Sequence, residues 1–556
     1  MSSKHSPAAT LARSRGVVNM RSLLMLDCRV IEAASFNQRN FGLITFEWII
    51  GLLLAAVVLS ALARRLAVPY PTFLAVGGAL LAFVPASPSW TLDPKLALAL
   101  FVAPVLLDAA YDTSLRDLRN NWLPISALVI AAVGVTTAAV AVLVHTLVPD
   151  ISWPAAVALG AIVAPPDAAA AITILRQVHL PYRLMKVLEG ESLLNDASAL
   201  LIYRIALGAE ASRHLSWNEF TSSLALVLIG SVVAGYLFSK LWMRIAPLFD
   251  DAPSAIILQF VGAFTVWIVA ERIGASGILT IVVYAILLAR EAPARTKARL
   301  RVPSYAVWET VVFILNVLAF ILIGMQIGPI WSKLDDDVRL QYCEIAALVL
   351  LAVILARAAW VLLFRGGLWL VVTVNRWRGC ETSPMPSPRS GIVVSWCGMR
   401  GIVTLATAFA LPEAFPYRDL IQFTAFAVVL GSLVIQGLTL RPLILALRLK
   451  EDDFVASEVA RARGVAYRAA LEEIDGDPSE AAELLRLEYR AVLLQAKDDP
   501  DGGITSNELP ADPLRRRAIL AARRAILGLR ESEAIGDDAF HLLEEELDRA
   551  ELGANG

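Results

Sequence analysis

Glu189-Gly190-Glu191-Ser192-Leu193-Leu194-Asn195-Asp196-Ala197-Ser198-Ala199-Leu200-Leu201-Ile202 sets three acids and an amide inside a segment whose apolar flanks are long enough to cross a bilayer. An ionised group at membrane depth costs about 2.5–3.5 kcal/mol on insertion scales, so it is retained where it has work or a partner. On a helix Ser192 and Asp196 are four apart and share a face, as do Glu191 and Asn195. A carboxylate, a hydroxyl and an amide gathered this way are hard oxygen ligands for a small cation. The carboxylate can also carry a proton.

The surrounding chain fits that reading. It has 556 residues, 57% of them hydrophobic, and a mean hydropathy of +0.63, which is the composition of a polytopic membrane protein. The net charge of −2 conceals two parts of opposite sign. From Leu449 onward there are 14 Lys and Arg against 25 Asp and Glu, whereas the preceding 448 residues carry 35 basic and 26 acidic side chains. A basic membrane domain therefore carries an acidic tail. Cys28, Cys343, Cys380 and Cys397 lack metal-ligand spacing, which predicts neither a disulfide nor a zinc site. No Walker loop, dinucleotide fingerprint or nucleophile elbow occurs, which argues against an ATP-driven pump, a cofactor or an enzyme. Residues 1–42 read as a polar extension without the apolar core of a signal peptide.

Hydropathy predicts thirteen spans at 43–63, 69–86, 95–111, 122–148, 154–175, 184–207, 219–243, 252–271, 274–290, 304–330, 342–373, 390–411 and 418–447. With the C-terminus inside, the inner loops hold 17 basic residues, among them Arg116, Arg119, Arg183, Lys297 and Arg301, against six in the outer loops. That asymmetry is the one expected of cytoplasmic loops. The basic extension at the N-terminus runs against it.

Two spans carry interruptions. Ala164-Pro165-Pro166-Asp167 puts two residues without an N–H in mid-span, which should break the helix and leave Asp167 beside freed carbonyls. Either Asp167 caps the second half-helix, or it lines a cation site near the midplane. Trp396-Cys397-Gly398-Met399-Arg400-Gly401 places an arginine between two glycines in the twelfth span, which predicts a second unwinding. Arg400 needs a carboxylate or carbonyls, and Glu191 is the nearest candidate by role. These two spans lie seven apart, so thirteen spans divide as six, one linker and six with the halves inserted in opposite senses. Interrupted helices at matching places in two inverted repeats mark the binding site of secondary transporters.

The Glu191-to-Asp196 motif, the Pro-Asp break at 165–167 and Ser395-Trp396-Cys397-Gly398-Met399-Arg400-Gly401 together resemble the cation:proton antiporter family 1, which includes prokaryotic and animal sodium/proton exchangers. Supporting segments are Leu107-Asp108-Ala109-Ala110, Trp308-Glu309 with Asn316, and Gln436-Gly437-Leu438-Thr439-Leu440-Arg441-Pro442. The resemblance implies an all-α membrane protein of about 13 transmembrane helices, in two inverted six-helix repeats with two crossed, interrupted helices and a cytoplasmic helical tail. It implies a homodimer in a bacterial inner membrane that exchanges Na+, Li+ or K+ for H+ by an elevator movement. By motif position Asp196 looks like the carboxylate that takes cation or proton. Asp167, Ser192 and the Pro166 carbonyl look like further ligands, and Asp108 like a residue reaching the ion through water. Asn195, the Glu191–Arg400 pair and Arg441 look like structural support. An Asn-Asp pair implies electroneutral exchange. Pro166 stands where Thr is usual, and Cys397 and Met399 where Gly and Leu are commoner, which bears on ion preference.

The expected domains are 1–42, the polar extension; 43–448, the transmembrane antiporter domain; and 449–556, the acidic helical tail, with a linker at 498–512. The partners expected are the cation, the proton, lipid and a second copy, without nucleic acid. A sodium-coupled symporter of an organic solute would need a larger polar cavity. A pH- or ion-responsive channel would need a filter or a charge ring, and the sequence displays neither; a signalling receptor would use the acidic tail as its output module.

Overall fold

In a computed structural model the described residues are 47–66, 68–84, 93–167, 171–172, 175, 178, 180–212, 217–332, 334–378, 387–449, 454–498, 512–531, 547 and 549–550. The polar extension 1–42 and the interior of the 498–512 linker lie outside them. All regular elements among the described residues are helical. In chain order they are α1 (Glu47–Leu66), α2 (Tyr70–Leu81), α3 (Pro94–Tyr111), α4 (Leu115–Asn120), α5 (Trp122–Leu147) and α6 (Trp153–Val163). There follow α7 (Tyr182–Ser212), α8 (Trp217–Ile245), α9 (Ala252–Arg272), α10 (Gly277–Arg295), α11 (Ala298–Met325) and α12 (Ile327–Ser332). The membrane unit ends with α13 (Asp336–Trp377), α14 (Pro388–Trp396), α15 (Ile402–Phe409) and α16 (Arg418–Leu447).

Several helices start on the same local signal. Asp93, Ser152, Asp251 and Ser387 accept a hydrogen bond from a first-turn N–H, and a proline follows within two residues. The side chain satisfies an orphan donor, and proline occupies a position whose N–H has no helical partner. Eight of the described helices are long and apolar enough to cross a membrane, and α2 and α6 are shorter apolar helices. The protein is thus an all-helical, multi-span membrane protein. Helix α7 is long enough to span, but Arg183, Lys186, Glu189, Glu191 and Asp196 crowd its first half.

Small residues let the helices of this unit touch through their backbones. A Cβ on Gly78 of α2 would strike the Ile321 carbonyl of α11, and one on Gly324 of α11 would strike the Ala75 carbonyl in return. Close approach of this kind replaces the hydrophobic drive that lipid does not supply. Thr72 of α2 donates to the Leu433 carbonyl of α16 at 2.8 Å. Helix α5 contains a π-helical stretch at Ala127–Ala132, and Trp360 of α13 donates its indole N–H to the Ala127 carbonyl at 3.0 Å. Between α8 and α9, the hydrogen bond from Lys297 to Asp250 (2.9 Å), with Arg299 3.4 Å away, holds the Asp250 carboxyl below the usual carboxylate range.

A second compact unit comprises residues 450–556 with 179–182. In it α17 (Phe454–Glu473) packs on α18 (Glu480–Asp498), with Tyr467 and Tyr489 edge to face at 5.3 Å. Arg486 donates to the carbonyls of Ile474, Asp475 and Asp477 and so fixes the turn between them. The last described helix is α19 (Asp512–Glu531).

Replacing Gly78 or Gly324 by Val should force α2 and α11 apart at a cost of about 1–3 kcal/mol or more. The yield of monodisperse protein on size exclusion should fall sharply for both. Gly366→Ala, at a position with nothing within 4 Å of the added carbon, should behave as the wild type.

Candidate functional site

Both predicted interruptions are present. Helix α6 stops at Val163, with Ala164 as its last residue of helical dihedrals and 165–167 outside any helix, and the chain between α14 and α15 is non-helical from Cys397 to Gly401. Each segment satisfies the other. Asp167 N–H donates to the Met399 carbonyl at 2.6 Å. Arg400 Nε donates to the Val163 carbonyl at 3.0 Å and Nη2 to that of Ala164 at 3.4 Å. Arg400 Nη1 donates to the Gly398 carbonyl, and its backbone N–H to Ser432 Oγ of α16 at 3.0 Å. Arg400 is fully buried. Its charge lies against the carbonyl end of α6, where the helix dipole is negative.

Helix α7 runs past this crossing. Asn195, also fully buried, donates Nδ2–H to the Pro166 carbonyl at 2.5 Å and ties α7 to the first break. On an adjoining face of α7, Ser192 and Asp196 line a cavity of about 240 Å³ together with Asp108, Asp167, Asn316 and Thr404. The structure therefore brings Asp108, Asp167, Ser192 and Asp196 to one wall system. Pro166 stands differently: its carbonyl already accepts from Asn195, and it is Pro165 that lines the cavity. Asp112, Thr113 and Glu189 carry the cavity toward the end of the bundle that holds Arg116 and Arg183. A separate cavity of about 420 Å³, lined by Asp93, Arg418 and Asp419, approaches from the other end. The two share Phe101, Ala319 and Ile402 as common lining.

The expected Glu191–Arg400 pair is corrected by the structure. Glu191 pairs with Arg357 of α13, at 2.5 Å from Nη1 and 2.9 Å from Nη2. Arg357 also donates to the Val394 carbonyl of α14 through Nε (3.1 Å) and Nη2 (2.9 Å). Arg400 instead has the carbonyl partners given above, the alternative that its place at a broken helix also allowed. Arg357 was missed by the sequence reading. The available signal was a lone arginine in the middle of the apolar run 342–373, where a buried charge requires a partner. Arg441 sits half-buried on α16 and is not among the residues lining the cavity.

The chain matches the family described as sodium/hydrogen exchanger, transmembrane, over residues 52–446. It is 30% identical over 444 residues to the sodium, potassium, lithium and rubidium/H+ antiporter of Bacillus pumilus, across 76% of this chain and 65% of that relative's length. It is 30% identical over 423 residues to the low-affinity Na+/H+ antiporter NhaS1 of a Synechocystis strain, across 73% of this chain and 75% of the relative. Its fold is similar to that of the sodium proton antiporter MjNhaP1 from Methanocaldococcus jannaschii, with a TM-score of 0.57 and 18% identity over 71% of this chain and 99% of that one.

Arg357→Met should leave Glu191 buried and uncompensated, at a cost of about 3–5 kcal/mol. Thermal unfolding of the purified protein should register that loss. The double variant Arg357→Met/Glu191→Met should regain most of it, because replacing both members of a buried pair by apolar groups is often near neutral.

Proposed function

The chain belongs to the sodium/hydrogen exchanger family, a family of transporters, and from that premise we propose that it exchanges a monovalent cation for H+ across the membrane. The observation that carries this reading is the pair Asp167 and Asp196 on one cavity, with Ser192 and Asp108 beside them. Like-charged carboxylates sharing a site disfavour each other's ionised form. A cation or a proton in the cavity relieves that repulsion, and the two compete for the same oxygens. In this reading Asp196 takes cation and proton alternately, Asp167 and Ser192 complete the ligand set, and Asp108 holds water around the ion. The Pro166 carbonyl retains a second lone pair for the same purpose. Asn195, Glu191, Arg400 and Arg441 support the site.

The transported cation is Na+, with Li+ and K+ as alternatives, in line with the names of the relatives. Exchange is one for one and electroneutral, as the Asn195-Asp196 pair implies by resemblance. Thirteen crossings in two inverted six-helix repeats are supported by the two broken segments and by the excess of basic residues in the inner loops. Residues 43–448 form the transporting domain and 449–556 a cytoplasmic tail. A homodimer in the bacterial inner membrane serving pH and sodium homeostasis completes the reading.

Proteoliposomes holding purified protein and a pH-sensitive dye test it. Na+ or Li+ added from one side should drive H+ movement that choline does not, with no dependence on a clamped membrane potential. Asp196→Asn should abolish that movement while the protein elutes as folded. Exchange that survives in Asp196→Asn would remove the carboxylate from its assigned role.

A further inference from the structure

Gly401 follows Arg400 at the end of the second break, and its place is filled by another residue's carboxylate. A Cβ built on Gly401 would fall on Asp167 Oδ2, with Asp167 Cγ at 2.5 Å and its Cβ at 2.7 Å. The backbone of Gly401 has a negative φ, at φ −138° and ψ −150°, outside the left-handed region that favours glycine. Space, not conformational freedom, is what glycine supplies there. The glycine on the other side of Arg400 serves a different neighbour, since a Cβ on Gly398 would meet Arg357 Cδ at 2.7 Å.

We propose that Gly401 is a positioning residue that sets cation preference: its missing side chain lets the Asp167 carboxylate lie against the 397–401 segment and so fixes the width of the site toward Asp196. This rests on Asp167 and Asp196 being the ion ligands. The Asp167 backbone has little freedom to retreat, because its N–H is held by Met399 O at 2.6 Å and the preceding carbonyl by Asn195 at 2.5 Å. A methyl group at 401 therefore pushes the whole Asp167 side chain, from Cβ to carboxylate, off the 397–401 segment and loads the backbone bonds that hold it. Ordinary van der Waals contact begins at 3.4 Å. The required displacement exceeds the differences in radius among the alkali cations, and its open direction is into the cavity. A narrowed site disfavours the larger ion.

The test is KM and maximal rate for Li+, Na+ and K+ in proteoliposomes of full-length wild type and Gly401→Ala, at one pH. The ratio of KM for K+ to KM for Li+ should rise about tenfold or more in the variant, with the rate per folded protein kept within about threefold. An unchanged ratio, or a uniform rise in KM with a falling rate, overturns the inference. Absence of exchange in the wild type overturns the functional reading, and this inference with it. If Gly401→Ala does not fold, Asp167→Gly/Gly401→Ala is compared with Asp167→Gly by thermal unfolding. Equal melting supports the contact, and a further loss in the double variant overturns it.

Discussion

In an unbroken helix the Asp167 N–H would donate to the Val163 carbonyl. Pro165 and Pro166 end α6 before that bond can form, and both groups find partners on the other break: Asp167 N–H on Met399 O, and Val163 O under Arg400 Nε. Buried backbone groups left without hydrogen bonds cost about 1–3 kcal/mol each, so neither interruption is tolerable alone. Each is stable because the other is there. The cavity, its carboxylates and the burial of Arg400 all follow from this exchange of donors.

The same arrangement distributes charge. Arg400 is neutralised by the carbonyl end of a helix and Arg357 by Glu191, and neither arginine is among the residues lining the cavity. A fixed guanidinium beside Asp196 would compete with any cation offered to it. By holding both arginines behind the backbone of the breaks, the fold keeps their structural role and leaves Asp108, Asp167, Ser192 and Asp196 on the cavity wall with no guanidinium among its lining. Glu191 and Asn195 point to the support, Ser192 and Asp196 to the cavity, because the two pairs occupy different faces of α7.

Much of this was legible in the sequence, because the decisive signals are local. Pro165-Pro166 can only break a helix, a four-residue spacing can only share a face, and acids amid apolar residues stand out against their background. The partners were less legible. Glu191 and Arg357 lie 166 residues apart, and hydropathy shows Arg357 only as one charge within a long apolar run. Arg400 offered two kinds of partner, and only the geometry of the crossing decides for carbonyls. The fate of the Pro166 carbonyl depended on Asn195, 29 residues away. Gly401 carried no signal beyond its identity, since the carboxylate that fills its place comes from the other interruption.

The way Asp167 is held also limits how its carboxylate can move. Its N–H is fixed to Met399, the carbonyl before it to Asn195, and its carboxylate lies where a Gly401 side chain would be. A movement of the Asp167 backbone toward the common lining of Phe101, Ala319 and Ile402 would break those hydrogen bonds and strand backbone groups of both breaks. The Glu191–Arg357 pair, the Arg357 bonds to Val394 and the Arg400 N–H bond to Ser432 add α13 and α16 to α6, α7, α14 and α15, so that six helices brace the crossing together. The carboxylate wall is therefore held by backbone bonds and a buried ion pair spread over six helices, and no one of those helices can shift alone without stranding a buried polar group of another.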